Sequence, residues 1–164
     1  MKTSFAPLPG DARVFLSRAT GIDFSNAKFI DEDAWFCCTV YRPDGRIAVV
    51  IVFEFKSPFD AHLTLVVADP KGLSRHLITT LYRTVFRRAK RVTALIDPFN
   101  ADALRGVTRM GFQFEGLMRR GLDGVRDANV YGLLPEECPY LKGKPFRAQS
   151  FRIPASASRD AAVH

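Results

Sequence analysis

The clearest alternation of apolar and polar positions runs from residue 61 to residue 112. Residues 61–68 (Ala-His-Leu-Thr-Leu-Val-Val-Ala) are largely apolar and short, which predicts a buried strand. A turn follows, Asp69-Pro70-Lys71-Gly72-Leu73-Ser74. Leu77, Ile78, Leu81, Tyr82, Val85 and Phe86 then recur at helical spacing, with Arg83, Arg87 and Arg88 on the other side. That stripe predicts a helix over 75–89 with Ser74 as its N-cap. A second apolar run predicts a strand over 91–96. Two strands joined by a crossover helix should lie parallel, with a right-handed connection. Asn100 then caps a helix with Ala103, Leu104, Val107 and Met110 on its inner side, ended by Gly111.

The flanking segments read as antiparallel. Residues 35–41 and 46–56 are rich in strand formers and are separated by Arg42-Pro43-Asp44-Gly45, a tight-turn sequence. The second of them is almost continuously apolar and is expected at the centre of the sheet, covered on both faces. Residues 112–118 and 128–134 read as a final hairpin around a polar loop, 119–127. Nearer the start, Asp11 is the expected cap of a short helix over 12–19, with Gly21 as its stop. Phe24, Phe29 and Ile30 are the expected anchors of the segment between them. Residues 1–10 read as a loose lead-in, 11–141 as one domain, and 142–164 as an extended basic tail.

The length of 164 residues and a 47% hydrophobic content fit one globular unit with a real core. No apolar run approaches the roughly 20 residues that span a bilayer, and no secretory leader is evident. Cys37 and Cys38 are neighbours on a strand, expected as one core residue and one outward residue. With Cys138 alone and no Cys-x-x-Cys spacing, a disulfide framework or zinc site is not expected, and a reducing cytoplasm is. The net charge of +7 draws anions in general. Its densest cluster, Arg83, Arg87, Arg88, Lys90 and Arg91, lacks interleaved aromatics, so nucleic acid is not the expected partner.

Helix starts that follow buried strands present free N–H groups, which suit a phosphate-bearing ligand. Gly72 and Asn100 stand at two such starts. The order of elements, with Asp69 to Ser74, Asn100 to Gly111-Phe112 and Phe114-Glu115-Gly116-Leu117-Met118-Arg119-Arg120, resembles the GNAT superfamily of N-acetyltransferases. The last segment with Asp127 to Gly132 is similar to the ribosomal-protein N-terminal acetyltransferase branch. Residues 131–141 are similar to a compact subgroup met in bacteriophage genomes. The resemblance implies an α/β (α+β) fold: a mixed, mostly antiparallel twisted sheet with one splayed parallel strand pair, flanked by helices.

It also implies acetyl-coenzyme A as cofactor and a primary amine as acceptor, on a protein N-terminus, a lysine or a small amine. Lys71, Gly72, Leu73, Ser74 and Arg75 are implied to hold the pyrophosphate, and Val66, Val67 and Asn100 the pantetheine arm. Glu54 stands near where the family often places a general base; beside what the resemblance implies, His62 is a candidate proton relay and Tyr131 a candidate substitute acid facing the cofactor's thiol. Arg119 and Arg120 suit a phosphate or an acidic acceptor. Each residue also has a plainer reading: Gly72 as a turn glycine, Asn100 as a cap, Glu54 and His62 as strand-edge polar groups, Tyr131 as a packed sheet residue. Two positions depart from the family pattern. Asp69 replaces a Gln or Arg, and Val107 stands where many members carry a tyrosine. They keep open a second reading, a non-catalytic GNAT-fold structural or interaction protein, such as a bacteriophage particle component. In that reading the tail serves a protein partner. Self-association is compatible with either.

Overall fold

The computed structural model describes residues 1–24 and 34–142. The elements in chain order are β1 (Lys2–Ser4), α1 (Gly10–Thr20), β2 (Trp35–Tyr41), β3 (Ile47–Phe55), β4 (Asp60–Val67), a 3-10 turn (Pro70–Gly72) and α2 (Arg75–Val85). They continue with β5 (Arg91–Ile96), α3 (Ala101–Arg109), β6 (Gln113–Met118) and β7 (Ala128–Leu133). The strands make one seven-stranded sheet in the order β1-β2-β3-β4-β5-β7-β6. Among the described residues only β4 and β5 pair in parallel; the other neighbour pairs of this sheet are antiparallel. This is the expected mixed α/β sheet with one parallel pair. Among the described residues no helix is long and apolar enough to cross a membrane.

Both faces of β3 are covered, as its unbroken apolar sequence requires. Val49, Ile51 and Phe53 join the larger core beneath α2 and α3, while Val50 and Val52 join a smaller core with Ala12 and Leu16 of α1. Fully burying each such side chain stabilises by about 1.5–3 kcal/mol. Cys38 lies in the first core and Cys37 in the second, and both are buried. The expected outward cysteine is therefore a core residue, because α1 covers the face it points to.

Two N-terminal expectations change. The lead-in is not loose: Lys2–Ser4 pairs with Thr39–Tyr41 as an edge strand, and Leu8 is buried. Asp11 is not the cap of α1. Pro9 holds that position without a side-chain bond, and Asp11 lies in the first turn, where its charge suits the helix's positive end. Gly21 does end α1, in the left-handed conformation. α2 stops at Val85, short of the expected 89. The chain turns there because Lys90 and Arg91 donate to the Phe59 carbonyl on entering β5. Phe24 packs on the smaller core; Phe29, Ile30 and the tail beyond residue 142 lie outside the described residues.

Tyr82 of α2 is 1% exposed, and among the described residues its hydroxyl meets no hydrogen-bond partner. A buried unpaired donor costs about 1–3 kcal/mol. Tyr82→Phe keeps the ring contacts with Phe86 and Tyr140 and removes that cost. The variant is expected to be about 1 kcal/mol more stable than the parent. In urea titrations the midpoint should rise at unchanged slope; a lower midpoint would contradict the assignment.

Candidate active site

The parallel pairing of β4 with β5 is short: Asp60, Ala61 and His62 against Arg91, Val92 and Thr93. Beyond it β4 follows β3 and β5 follows β7, so the two strands part and the sheet forks. The ladder with β3 fixes which backbone groups face the gap. Ala68 N–H donates to the Ala48 carbonyl (2.8 Å) and Lys56 N–H to the Asp60 carbonyl (3.0 Å), so even-numbered residues of β4 bond to β3. The odd-numbered Leu63, Leu65 and Val67 turn their N–H and C=O toward the fork. Val66 is in register with Val50 and spends its backbone on that pairing.

The turn after β4 satisfies most of its own donors. Lys71 N–H donates to Asp69 Oδ1, Gly72 N–H to the Asp69 carbonyl and Leu73 N–H to the Pro70 carbonyl, each at 3.0 Å. Asp69 thus caps its own turn. Its second oxygen lies 3.3 Å from Arg42 Nε, an ion pair whose angle falls short of a hydrogen bond. The acid at this position is neutralised and turned inward. Gly72 is buried because the turn rests on β3: a Cβ there would lie 2.7 Å from Val49 Cγ2 and 3.1 Å from Ala48 Cβ. At the head of α2, Ser74 Oγ accepts from Leu77 N–H (3.1 Å). The exposed Arg75 and His76 lie in the first turn, where N–H groups have no carbonyl one turn back. The Arg75 guanidinium lies 5.4 Å from the centre of the Tyr140 ring. Across the fork, Asn100 Oδ1 caps α3 by accepting from Ala103 N–H (3.0 Å). Val107 is buried in the core and presents nothing to the fork.

Strand parity divides the predicted chemical residues between the two faces of the sheet. His62 pairs with Glu54 on one side and with Thr93 on the other, so these three share the α1 face. Glu54 is bound to Lys56 Nζ at 2.5 Å. Tyr131 pairs with Ala94 and packs on the larger core, so it lies on the α2–α3 face, with Phe114 edge-on at 5.6 Å. The structure thus brings Glu54 and His62 together and holds Tyr131 apart from them. Arg119 and Arg120 lie on the β6–β7 loop, which Arg126 ties to Asp97 at the end of β5 (2.7 Å).

Sequence reasoning missed a polar network beside His62. His62 Nε2 is 3.3 Å from Asp60 Oδ2, and Asp60 Oδ1 accepts from Thr93 Oγ1 at 2.7 Å. Arg91 Nε donates to Thr93 Oγ1 (3.2 Å), and Arg91 Nη2 donates to Glu115 Oε2 (2.6 Å). Glu115 holds its arginine partner above the ordinary range. A register shift between Phe114 and Gly116 leaves Glu115 as the extra residue of β6, and its carboxylate lies over Gly132, where any Cβ would collide with it. The signal in the sequence was the i, i+2 pairing of Asp60 with His62 and of Arg91 with Thr93. Only the register of four separate strands joins them.

No family model matches the chain, and no curated protein sequence matches it. Solved structures do share its fold, which is that of the GNAT acetyltransferases. A spermidine N-acetyltransferase SpeG variant from Vibrio cholerae superposes with a TM-score of 0.65 at 16% identity, covering 87% of this chain and 98% of that one. An acetyltransferase of the GNAT family from Streptococcus pneumoniae gives 0.53 at 15% identity over 81% and 99%. A ribosomal-protein-S5-alanine acetyltransferase from Vibrio fischeri gives 0.52 at 17% over 62% of each chain.

Proposed function

We propose that the chain is an acetyl-coenzyme A-dependent N-acetyltransferase acting on a primary amine. The observation that carries this reading is the fork between β4 and β5. One wall offers the backbone groups of Leu65 and Val67, which face away from β3 beyond the last pairing with β5, and the two capped helix starts at Ser74 and Asn100 stand at its open end. These groups fit a ligand with an amide-bearing arm and a pyrophosphate. The first-turn N–H groups of α2 and the Arg75 side chain hold the phosphates, since Lys71, Gly72 and Leu73 have already spent their N–H groups. Val67 pairs with the arm in preference to Val66, and Asn100 bonds the arm beside its capping role. The bound cofactor supplies the acetyl thioester. On the α1 face His62, with Glu54 beside it, takes the proton of the amine. On the opposite face Tyr131 protonates the departing sulfur.

Acetyl-CoA at 100 times its dissociation constant is expected to stabilise the protein by about 2.7 kcal/mol. Calorimetric titration with acetyl-CoA checks this, and absence of saturable binding would overturn the reading. Mass spectrometry of lysate proteins and small amines after incubation with labelled acetyl-CoA then identifies the acceptor. Buried Val107 and the internally satisfied turn favour one alternative, a GNAT-fold protein that has kept the scaffold for a structural or interaction role, including one in a bacteriophage particle. Saturable acetyl-CoA binding without transfer to any amine would select it.

A further inference from the structure

The network around His62 has more order than a pair of exposed strand-edge residues needs. Asp60 and His62 share a face of β4, and Arg91 and Thr93 share the same face of β5, at the only place where these strands are paired. Thr93 is 5% exposed, and its hydroxyl both donates to Asp60 and accepts from Arg91. Those bonds occupy Asp60 Oδ1 and leave Oδ2 to face the imidazole. Arg91, 3.7 Å from Oδ1 through its Nε, is itself gripped by Glu115, which reaches it only through the extra residue of β6 and the missing side chain of Gly132. Four strands therefore converge on the orientation of one carboxylate. Among the described residues, Glu54 of β3 is paired with His62 and is itself bound by Lys56, just beyond the end of that strand. His62 remains about one-third exposed, so an incoming group can reach it.

We propose that Asp60 is a positioning residue for His62: anchored by Thr93, it holds the neutral imidazole with its proton on Nε2 and its lone pair on Nδ1, ready to take a proton from the acceptor amine. A neutral ring carries one N–H and one lone pair, and the partner of one nitrogen decides which is which. His62 is the last β4 residue paired with β5, so its side chain stands beside the point where the strands part. This rests on the N-acetyltransferase reading. In the reaction the amine nitrogen bonds to the acetyl carbon, the carbon–sulfur bond breaks with its electron pair leaving on sulfur, and the proton released from nitrogen passes to His62 Nδ1. Asp60 stays ionised throughout and stabilises the imidazolium that results.

The test uses the full chain with ¹⁵N-labelled histidine. In the parent protein the His62 ring nitrogens should report a single Nε2–H tautomer. Asp60→Asn keeps the shape of the side chain and its bond from Thr93 but turns an amide N–H toward Nε2 in place of an acceptor, and should shift the ring toward the Nδ1–H tautomer. Thr93→Val, which frees Asp60 from its anchor, should do so in part. With an acceptor in hand, Asp60→Asn should lower kcat by roughly 10²-fold while leaving the KM for acetyl-CoA within a factor of two. An Nδ1–H tautomer in the parent, or an unchanged tautomer in Asp60→Asn, overturns the proposal. The NMR result does not depend on activity. An Asp60-dependent tautomer in a protein that fails to bind acetyl-CoA would therefore support the positioning role and sink only the acetyltransferase reading.

Discussion

Gly111→Ala is expected to lower the stability of this fold by about 3 kcal/mol, the sum of a backbone cost and a packing cost. Gly111 ends α3 at φ +94°, a conformation that a side chain resists by about 1–2 kcal/mol. The added Cβ would also lie 2.5 Å from Pro139 Cδ and 3.1 Å from Pro139 Cγ. Pro139 cannot easily retreat. It is part of a rigid ring in a segment whose neighbours Cys138 and Leu141 are buried in the main core. Relieving such a clash means shifting that segment or tilting α3, and overpacking of this kind costs about 1–3 kcal/mol. Urea denaturation of the variant measures the total. Trimming the obstacle separates the two parts: in the Gly111→Ala, Pro139→Ala double variant the packing part should be recovered and the backbone part should stay. A total cost under about 1 kcal/mol, or strictly additive effects, would refute this account. The consequence reaches the fork. The far end of α3 carries Asn100, and the 138–141 segment carries Tyr140, which faces Arg75 at the head of α2.

Gly111 was legible in the sequence as a helix stop, because a glycine after an apolar helical stripe has a local reason to be there. Gly72 was legible as a glycine and misleading as to its reason. Its neighbours in the chain suggest a phosphate turn, whereas Val49 and Ala48, more than twenty residues upstream, decide that no side chain fits. Asp69 shows the same limit. In the sequence it is an acid where a phosphate would be expected. In the fold it is the cap of its own turn and the partner of Arg42. The strands, helices and caps that depend on local spacing were readable, including the parallel pair and both capped helix starts. Features made by register were not. Asp60, Thr93, Arg91 and Glu115 come from three strands, and no local pattern states that β4 and β5 pair for three residues and then part. β1 escaped notice for a related reason. Three residues carry too little alternation to be read, and they become a strand only because β2 offers them an edge.

The buried thiols give the second large effect, a loss of stability in alkali. Cys37 and Cys38 are 5% and 1% exposed, on opposite faces of β2. Burial pushes the Cys37 thiol up to about 11 and the Cys38 thiol up to about 12, from an ordinary 9.0. Burial also raises Cys138, and it carries Tyr82 well above 10.0. Above pH 9 the unfolded chain therefore sheds thiol protons that the native state keeps. The native state then binds more protons, so stability is complete below about pH 9 and falls as pH rises toward the native values. The slope is about 1.4 kcal/mol per pH unit for each such proton, so each of the two thiols of β2 accounts for about 2–3 kcal/mol between pH 9 and pH 11. Denaturant titrations at pH 8, 9, 10 and 10.5 should show a flat region followed by a steepening decline. Replacing Cys38 by Ala should lower the plateau by leaving a small cavity, yet make the decline shallower. A profile flat to pH 10.5, or one whose slope ignores Cys38→Ala, would show that these thiols do not control it. The same burial bears on chemistry. The thiolate is the nucleophilic form of cysteine, and these three side chains are held as thiols at neutral pH. None of them is suited to carry an acyl group, so in the proposed reaction the amine must meet the thioester directly, at the fork that His62 faces.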